Sequence, residues 1–163
     1  GDYSELALDA GARYVVGFDA DHGALDAAYA RASDRDLRFL PLFLDAANPS
    51  PDQGWQQRER PGTQARGPAD AVLALALVHH LAIGRNVPIP EFVAWLTALA
   101  PRGVVEFVPK NDPAVQRMLA RREDVFNAYD VTTFEASLAA HARVVRAATI
   151  SATGRRLYLF DRS

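Results

Sequence analysis

Short apolar runs recur along this chain, and polar segments with turn and capping residues separate them. Four of the runs are rich in β-favouring residues and predict buried strands. They are RYVVGFD (13–19), LRFLPLFLD (37–45), DAVLALAL (70–77) and GVVEFVP (103–109). Pro41 lacks an amide donor, so the second run is predicted to lie at a sheet edge or to contain a bulge.

Helical patterns lie between and after these runs. Gly11 suits the left-handed position that follows a helix over SELALDA. Three helix starts carry capping signals: Asp21, Asp112 followed by Pro113, and Thr132 with Glu135 at capping-box spacing. Two apolar stripes have helical spacing: Leu25, Ala28, Tyr29 and Ala32, and Phe92, Val93, Leu96, Leu99 and Ala100.

The alternation of strands and helices predicts one α/β domain over residues 1–163, with a mostly parallel sheet and helices on both faces. The last two runs, ARVVRAATIS (142–151) and RRLYLFDR (155–162), meet at Thr153 and Gly154. This arrangement predicts a C-terminal antiparallel hairpin.

Residues 45–68 form a long segment rich in Pro, Gly, Gln and Arg, without helical or strand period. Loops of this length inside a compact domain are uncommon and often functional. We interpret the segment as a lid over a binding pocket. Trp55 would offer a ring for stacking, and Arg58 and Arg60 would bind an anionic substrate. The alternative is a solvated loop that is held in place because its tryptophan packs against the rest of the domain.

Composition narrows the functional classes. The chain of 163 residues has a net charge of -2, which gives no support for a nucleic-acid partner. It has no cysteine, which excludes disulfides and thiolate metal sites, and we expect no metal. No apolar run approaches the ~20 residues that cross a bilayer, and no signal peptide opens the chain. We therefore expect a cytoplasmic protein without a membrane partner.

An acid ends the first strand. In open parallel sheets, ligands bind beyond the carboxyl ends of the strands, where a carboxylate accepts both hydroxyls of a ribose. Asp19 stands at that place, and Asp21 is placed to cap the next helix. The alternative for Asp19 is a turn residue.

The ordered motifs GDYSELALDAGARYVVGFDAD, LFLDAANPSP, GPADAVLALALVHHL and GVVEFVP resemble those of class I S-adenosylmethionine-dependent methyltransferases. More narrowly, NPSPDQGWQQRERP and VHHLAIGRNVPIPEF are similar to bacterial methyltransferase-like proteins grouped with a rhizobial host-specific nodulation protein. The resemblance implies a Rossmann-like methyltransferase fold and S-adenosylmethionine as cofactor. Relative to the family pattern, the first strand and most of the glycine-rich loop are missing before Gly1. The domain is therefore expected to be N-terminally truncated, and the isolated chain to bind cofactor weakly.

The resemblance also implies the cofactor contacts. They are Gly1 at the methionine moiety, Asp19 at the ribose, Ala20, Asp45 and Ala46 at the adenine, and Ala76 and Leu77 near the sulfonium. Methyl transfer needs alignment and, where the acceptor loses a proton, a base.

His79 and His80 are the candidates for that base, because histidine titrates near working pH. Adjacent helical residues point about 100° apart, so both are not expected to face the substrate. The alternative is that one packs or caps the helix while the other is solvated. Glu106 is a candidate acceptor contact or a plain strand-end residue. The run 121–129 is either an acceptor contact or a solvated charged face.

The leading hypothesis is thus a methyltransferase with a small-molecule or glycan-related acceptor. A second is a non-catalytic binding or scaffold protein that retains the fold. A third is a nicotinamide-dependent oxidoreductase, which shares the strand-end acid, although the reversed terminal hairpin argues against it. The oligomeric state stays open.

Overall fold

The computed structural model describes residues 1–120 and 122–163. The contacts of the chain divide it into two compact units, Gly1–Pro51 and Asp52–Ser163. The single domain expected over 1–163 stays a prediction. Within the described residues, no helix is long and apolar enough to cross a bilayer.

The first unit contains two helices and two parallel strands. They are α1 (Asp2–Asp9), β1 (Val15–Asp19), α2 (His22–Asp34) and β2 (Phe39–Phe43). In the register of the two strands, Asp19 lies opposite Phe43. Gly11 has a φ of 101°, and the Asp21 carboxylate accepts the Gly23 and Ala24 amides at 2.8 and 3.3 Å. The predicted helix end and helix cap are therefore confirmed.

The buried core of this unit is small, and several residues predicted to be buried in β1, β2 and α2 are exposed. Ala28, Ala32 and Phe39 form the buried cluster, whereas Tyr29 is 64% exposed. Val16 and Phe18 of β1 are also exposed. Successive side chains of a strand point to opposite faces, so the side chains of Val16 and Phe18 lie on the face opposite the buried cluster. Pro41 fits its prediction, because β2 pairs only with β1 in the part of the chain described.

The second unit is built on a four-stranded mixed sheet in the order β3-β4-β6-β5. Its elements are β3 (Val72–Ala74), α3 (Val78–Ala82), α4 (Ile89–Leu99), β4 (Arg102–Phe107), α5 (Pro113–Leu119), α6 (Val131–His141), β5 (Arg143–Thr149) and β6 (Arg156–Asp161). Strands β3 and β4 are parallel, and β6 is antiparallel to both β4 and β5. The predicted α/β class with a C-terminal antiparallel hairpin is confirmed.

Aromatic side chains fill the core of the second unit. The ring of Phe107 lies 5.3 Å from that of Tyr129 and 5.1 Å from that of Phe134, which is 5.2 Å from Tyr158. The Tyr129 hydroxyl donates to the Val108 carbonyl at 2.6 Å, and burial raises the pKa of this phenol. Such ring pairs contribute about 0.5–1.5 kcal/mol each beyond their buried area. These ring contacts hold the carboxyl end of β4 in place, because Phe107 is its last residue.

The start of α6 differs from its prediction. Asp130, rather than Thr132, is the capping residue, and its carboxylate accepts the Thr133 amide at 2.8 Å. Glu135 accepts hydrogen bonds from a guanidinium and a phenol of β6 instead of closing a capping box. The Asp130 carboxylate also accepts the Thr133 hydroxyl at 2.9 Å, so the cap uses both of its oxygens.

Strand β5 lies at the edge of the sheet, and all its residues are exposed. Its pairing with β6 is interrupted between Val144 and Arg146, where one extra residue forms a bulge. The turn to β6 contains Gly154 with a φ of 90°, as the predicted hairpin requires.

Candidate functional site

The carboxyl ends of β1 and β2 carry two exposed or half-exposed acids. One Asp19 carboxylate oxygen accepts the Asp21 amide at 2.9 Å, and the Leu44 amide donates to the Asp19 carbonyl at 3.1 Å. Asp45 accepts the Ala47 amide at 3.0 Å. Both acids therefore lie at the same edge of the parallel pair. Asp19 makes the turn contact that its alternative interpretation expects, and its exposed carboxylate faces solvent.

The other residues assigned to this part of the chain take the following places. Gly1 is the capping residue of α1, and its carbonyl accepts the Ser4 and Glu5 amides at 3.0 and 3.1 Å. Ala20 is exposed in the turn after β1, and Ala46 is half-buried after β2. The contacts expected of them with cofactor stay predictions.

A stacked pair of rings borders the two acids. The His22 and Phe43 rings are 4.9 Å apart and within 5° of parallel, and Phe43 is largely exposed. Phe43 lies opposite Asp19 in the strand register, so both side chains leave the same face. Sequence reasoning missed this flat surface, because His22 reads as an ordinary first-turn residue of α2.

In the second unit, the turn after β3 is strained at Ala76. This residue has a φ of 51°, in the left-handed region that costs a non-glycine residue about 1–2 kcal/mol. Its amide donates to the Glu106 carboxylate at 2.8 Å. Leu77 follows as the capping residue of α3 and is half-buried. Ala76 and Leu77 are thus brought beside Glu106.

Glu106 is 6% exposed, so its side chain is committed to internal contacts. Arg155 approaches Glu106 at 3.3 Å and binds Asp112 through two nitrogens at 2.7 and 2.8 Å. The Arg155 hydrogen bonds hold the pKa of Asp112 far below its usual range, and Asp112 raises the pKa of Arg155. The acceptor contact proposed for Glu106 stays untested. No local sequence signal pointed to Arg155, which lies 49 residues from Glu106.

The two histidines have different environments. His79 is 2% exposed, and its Nδ1 has no hydrogen-bond partner in the described residues. Burial, with smaller contributions from the nearby His80 and Arg155, lowers the pKa of His79 to about 4. His80 is exposed, with its ring 4.3 Å from that of His79. This matches the alternative of one packed and one solvated histidine, and the base role stays a prediction.

His79 should make the unfolding free energy depend on pH. Its stabilisation is fully present above the unfolded pKa of 6.5 and is lost as the pH falls towards the folded pKa of about 4. From about pH 7.5 to about pH 5 we expect a loss of about 2 kcal/mol, measured by urea unfolding. His79→Gln should remove this part of the dependence, whereas His80→Gln should retain it. Equal slopes in wild type and His79→Gln would contradict the assignment.

The long loop 45–68, interpreted as a lid, contains a small hairpin, which we call the 52–62 hairpin. Gln53 and Arg60 exchange backbone hydrogen bonds at 2.9 and 3.1 Å, and the Asp52 carboxylate accepts the Gly62 amide at 2.6 Å. Gln56 and Gln57 at its tip both have positive φ values, 55° and 58°. The tip is therefore a defined turn, and its lid role stays a prediction.

The 52–62 hairpin exposes the side chains that sequence reasoning assigned to the acceptor. Trp55 is 77% exposed, so its ring does not hold the loop in place by packing against the rest of the domain. Arg58 and Arg60 are exposed and form no ion pair in the described residues.

From the run 121–129, Arg121 lies outside the described residues. Arg122 lies 4.7 Å over the Phe126 ring and donates to Asn86 at 2.8 Å. Among the residues described, no three His, Asp or Glu side chains are grouped to hold a metal.

No protein-family profile matches the chain. The chain is 55% identical, over all its 163 residues, to the nodulation protein NoeA of Rhizobium meliloti (strain 1021). It spans 34% of the length of that curated relative. The expected similarity to a rhizobial nodulation protein is confirmed.

Three solved structures illustrate the fold that the chain resembles. The PH0226 protein from Pyrococcus horikoshii OT3 matches with a TM-score of 0.63 and 16% identity, over 99% of this chain and 76% of that one. The 16S rRNA methyltransferase RmtF in complex with S-adenosyl-L-homocysteine matches at 0.61 and 21%, over 99% and 52%. NcsB1, an O-methyltransferase from neocarzinostatin biosynthesis, matches at 0.53 and 16%, over 91% and 42%. At these identities the likeness shows the fold alone.

Proposed function

The chain has the fold of class I S-adenosylmethionine-dependent methyltransferases, and on that premise we propose that it forms part of a methyltransferase. The observation that carries the proposal is the exposed Asp19 carboxylate at the end of β1, with Asp45 at the same strand edge. Two of the similar structures, RmtF and NcsB1, hold S-adenosyl-L-homocysteine, the product left by this methyl donor. S-adenosylmethionine is therefore the proposed cofactor.

The exposed groups of the first unit suit the nucleoside end of this cofactor. Asp19 has one oxygen on a backbone amide, and a carboxylate has further acceptor sites for two ribose hydroxyls. Asp45 and the Ala46 backbone are proposed to contact the adenine edge, and Ala20 its face. The flat surface of Phe43 beside Asp19 offers further apolar contact for a ring. Gly1 is proposed to contact the methionine moiety.

Ala76 and Leu77, in the turn after β3, are proposed to contact the cofactor's sulfonium end. When bound, S-adenosylmethionine supplies an electrophilic methyl group, and the protein contributes alignment and a proton acceptor where one is needed. His80 suits the role of proton acceptor better than His79, because His80 is exposed, whereas burial lowers the pKa of His79 to about 4 and makes it a weak base. A base that acts must reach its proton within hydrogen-bond distance.

The acceptor is proposed to be a small molecule or a glycan-related compound. The similar structures include an rRNA methyltransferase and an O-methyltransferase bound to 1,4-dihydroxy-2-naphthoic acid, so they support neither class alone. The net charge of -2 favours the smaller acceptor over a nucleic-acid backbone. Trp55, with Arg58 and Arg60, is the proposed contact for an anionic or planar acceptor. The absence of cysteine suits the cytoplasm, which is the proposed compartment.

Calorimetric titration of the intact protein tests this proposal. We expect saturable binding of S-adenosylmethionine and S-adenosylhomocysteine, and no binding of a nicotinamide dinucleotide. Transfer of labelled methyl groups to a panel of small phenols, glycans and rRNA then identifies the acceptor class. Binding of the dinucleotide in place of S-adenosylmethionine would refute the proposal. Tight cofactor binding without transfer to any acceptor would instead favour a scaffold protein that retains the fold.

A further inference from the structure

Three charged side chains from different parts of the second unit meet next to the turn after β3. Glu106 belongs to β4, Asp112 caps α5 and Arg155 directly precedes β6. Glu106 and Asp112 are both buried, and two carboxylates share the single guanidinium. Thr153 adds a hydrogen bond to Asp112 at 2.7 Å.

Stability alone does not account for this cluster. The desolvation of buried charges offsets most of their attraction, and replacing such ion pairs by apolar residues of similar volume often leaves stability unchanged or raises it. The best-attested role of buried ionic groups is to select one conformation among several. The question is therefore which arrangement Glu106 fixes.

The second carboxylate oxygen of Glu106 identifies the arrangement. Arg155 contacts Oε1, whereas Oε2 accepts the amide of Ala76. The pairing of β3 with β4 ends at Ala74, so this amide lies two residues beyond the sheet ladder. Ala76 has the left-handed conformation that glycine adopts freely and alanine avoids. A charged acceptor at 2.8 Å favours that conformation over an extended one.

We propose that Glu106, oriented by Arg155 and Asp112, is a positioning residue that holds Ala76 in its left-handed conformation. The inference rests on the proposed function, because it gives the turn its role at the cofactor's sulfonium end. Glu106 itself is buried, and both its carboxylate oxygens contact other residues of the chain. It acts through the backbone of Ala76.

Hydrogen exchange tests the contact without any cofactor. In Glu106→Gln, one amide oxygen replaces two carboxylate oxygens. The charged Arg155 guanidinium is the stronger donor and retains that oxygen, so the Ala76 amide loses its partner. We expect the Ala76 amide, followed by NMR in the intact protein, to exchange about tenfold faster. Amides of α4 should keep their rates. Glu91→Gln makes the same change at an exposed position and should alter neither.

The second measurement is the affinity for S-adenosylhomocysteine. Glu106→Gln should weaken it about tenfold, and should weaken it much less when Ala76 is also replaced by glycine, because glycine needs no support at this φ. A purely structural Glu106 would give the same loss in both backgrounds. Arg155→Lys keeps the charge but loses the bidentate contact with Asp112, so it should also weaken the affinity. This variant replaces Glu106→Gln in the test if Glu106→Gln does not fold.

The outcomes separate the two proposals. Unchanged exchange at Ala76, or an equal affinity loss in both backgrounds, would overturn the positioning role. Absence of S-adenosylhomocysteine binding by the wild-type protein would overturn the proposed function. In that case the exchange rate still decides whether Glu106 holds the turn.

Discussion

Asp19→Ala in the intact protein is expected to weaken S-adenosylmethionine binding about 100-fold, because two charge-assisted hydrogen bonds to ribose hydroxyls are lost and each contributes about tenfold. The fold should persist, since the described contacts of this carboxylate are confined to the Asp21 amide. Titration calorimetry gives the affinity, and circular dichroism reports the fold.

Two neighbouring substitutions make this result specific. Asp19→Asn keeps an acceptor for the Asp21 amide but loses the charge, so we expect an intermediate loss of affinity. Asp21→Ala removes the cap of α2, which costs about 1 kcal/mol of stability, and should leave the affinity within about twofold. If Asp19→Ala binds as tightly as wild type, the ribose assignment is wrong.

Asp112→Ala should produce the largest loss of stability, about 3–4 kcal/mol in the free energy of unfolding. Breaking a buried ion pair costs about 3–5 kcal/mol, and the lower end applies because Glu106 still neutralises Arg155. The substitution also removes the cap of α5, where Asp112 accepts the Ala114 amide at 2.9 Å. Urea unfolding at pH 7 measures the loss.

The same residue predicts acid sensitivity. The hydrogen bonds from Arg155 lower the pKa of Asp112 from 3.8, so its stabilisation is present above about pH 4 and is lost as the pH falls below that value. Asp112→Asn keeps an acceptor for the Ala114 amide and isolates the charge. Both variants should unfold with less dependence on acid than wild type, and an unchanged acid dependence would contradict the assignment.

Local patterns predicted the elements because each depends on a few consecutive residues. The apolar runs located all four parallel strands, and Asp21, Gly11 and the Thr153–Gly154 turn were confirmed. These signals act within a few positions of the chain, where side-chain chemistry alone selects the backbone conformation. The order of the motifs also predicted the fold.

What sequence could not predict depends on pairs that are distant along the chain. The Glu106–Arg155 contact spans 49 positions, and nothing local distinguishes Arg155 from its neighbour Arg156. Burial separated His79 from His80, although the two residues are adjacent and chemically identical. Glu135, which would complete a capping box with Thr132, instead accepts hydrogen bonds from Arg156 and Tyr158 of β6. Each outcome is decided by packing from other elements.

The exposed edge of β5 has a consequence for the behaviour of the protein in concentrated solution. In the described residues it pairs with β6 on one side only, so its other side presents unpaired amides and carbonyls that could template fibril growth. The bulge after Val144 breaks the register that an added strand would need, and Arg143 and Arg146 bring like charges together in any self-pairing. We therefore expect this edge to resist amyloid-like association, which flat and uncharged edges favour.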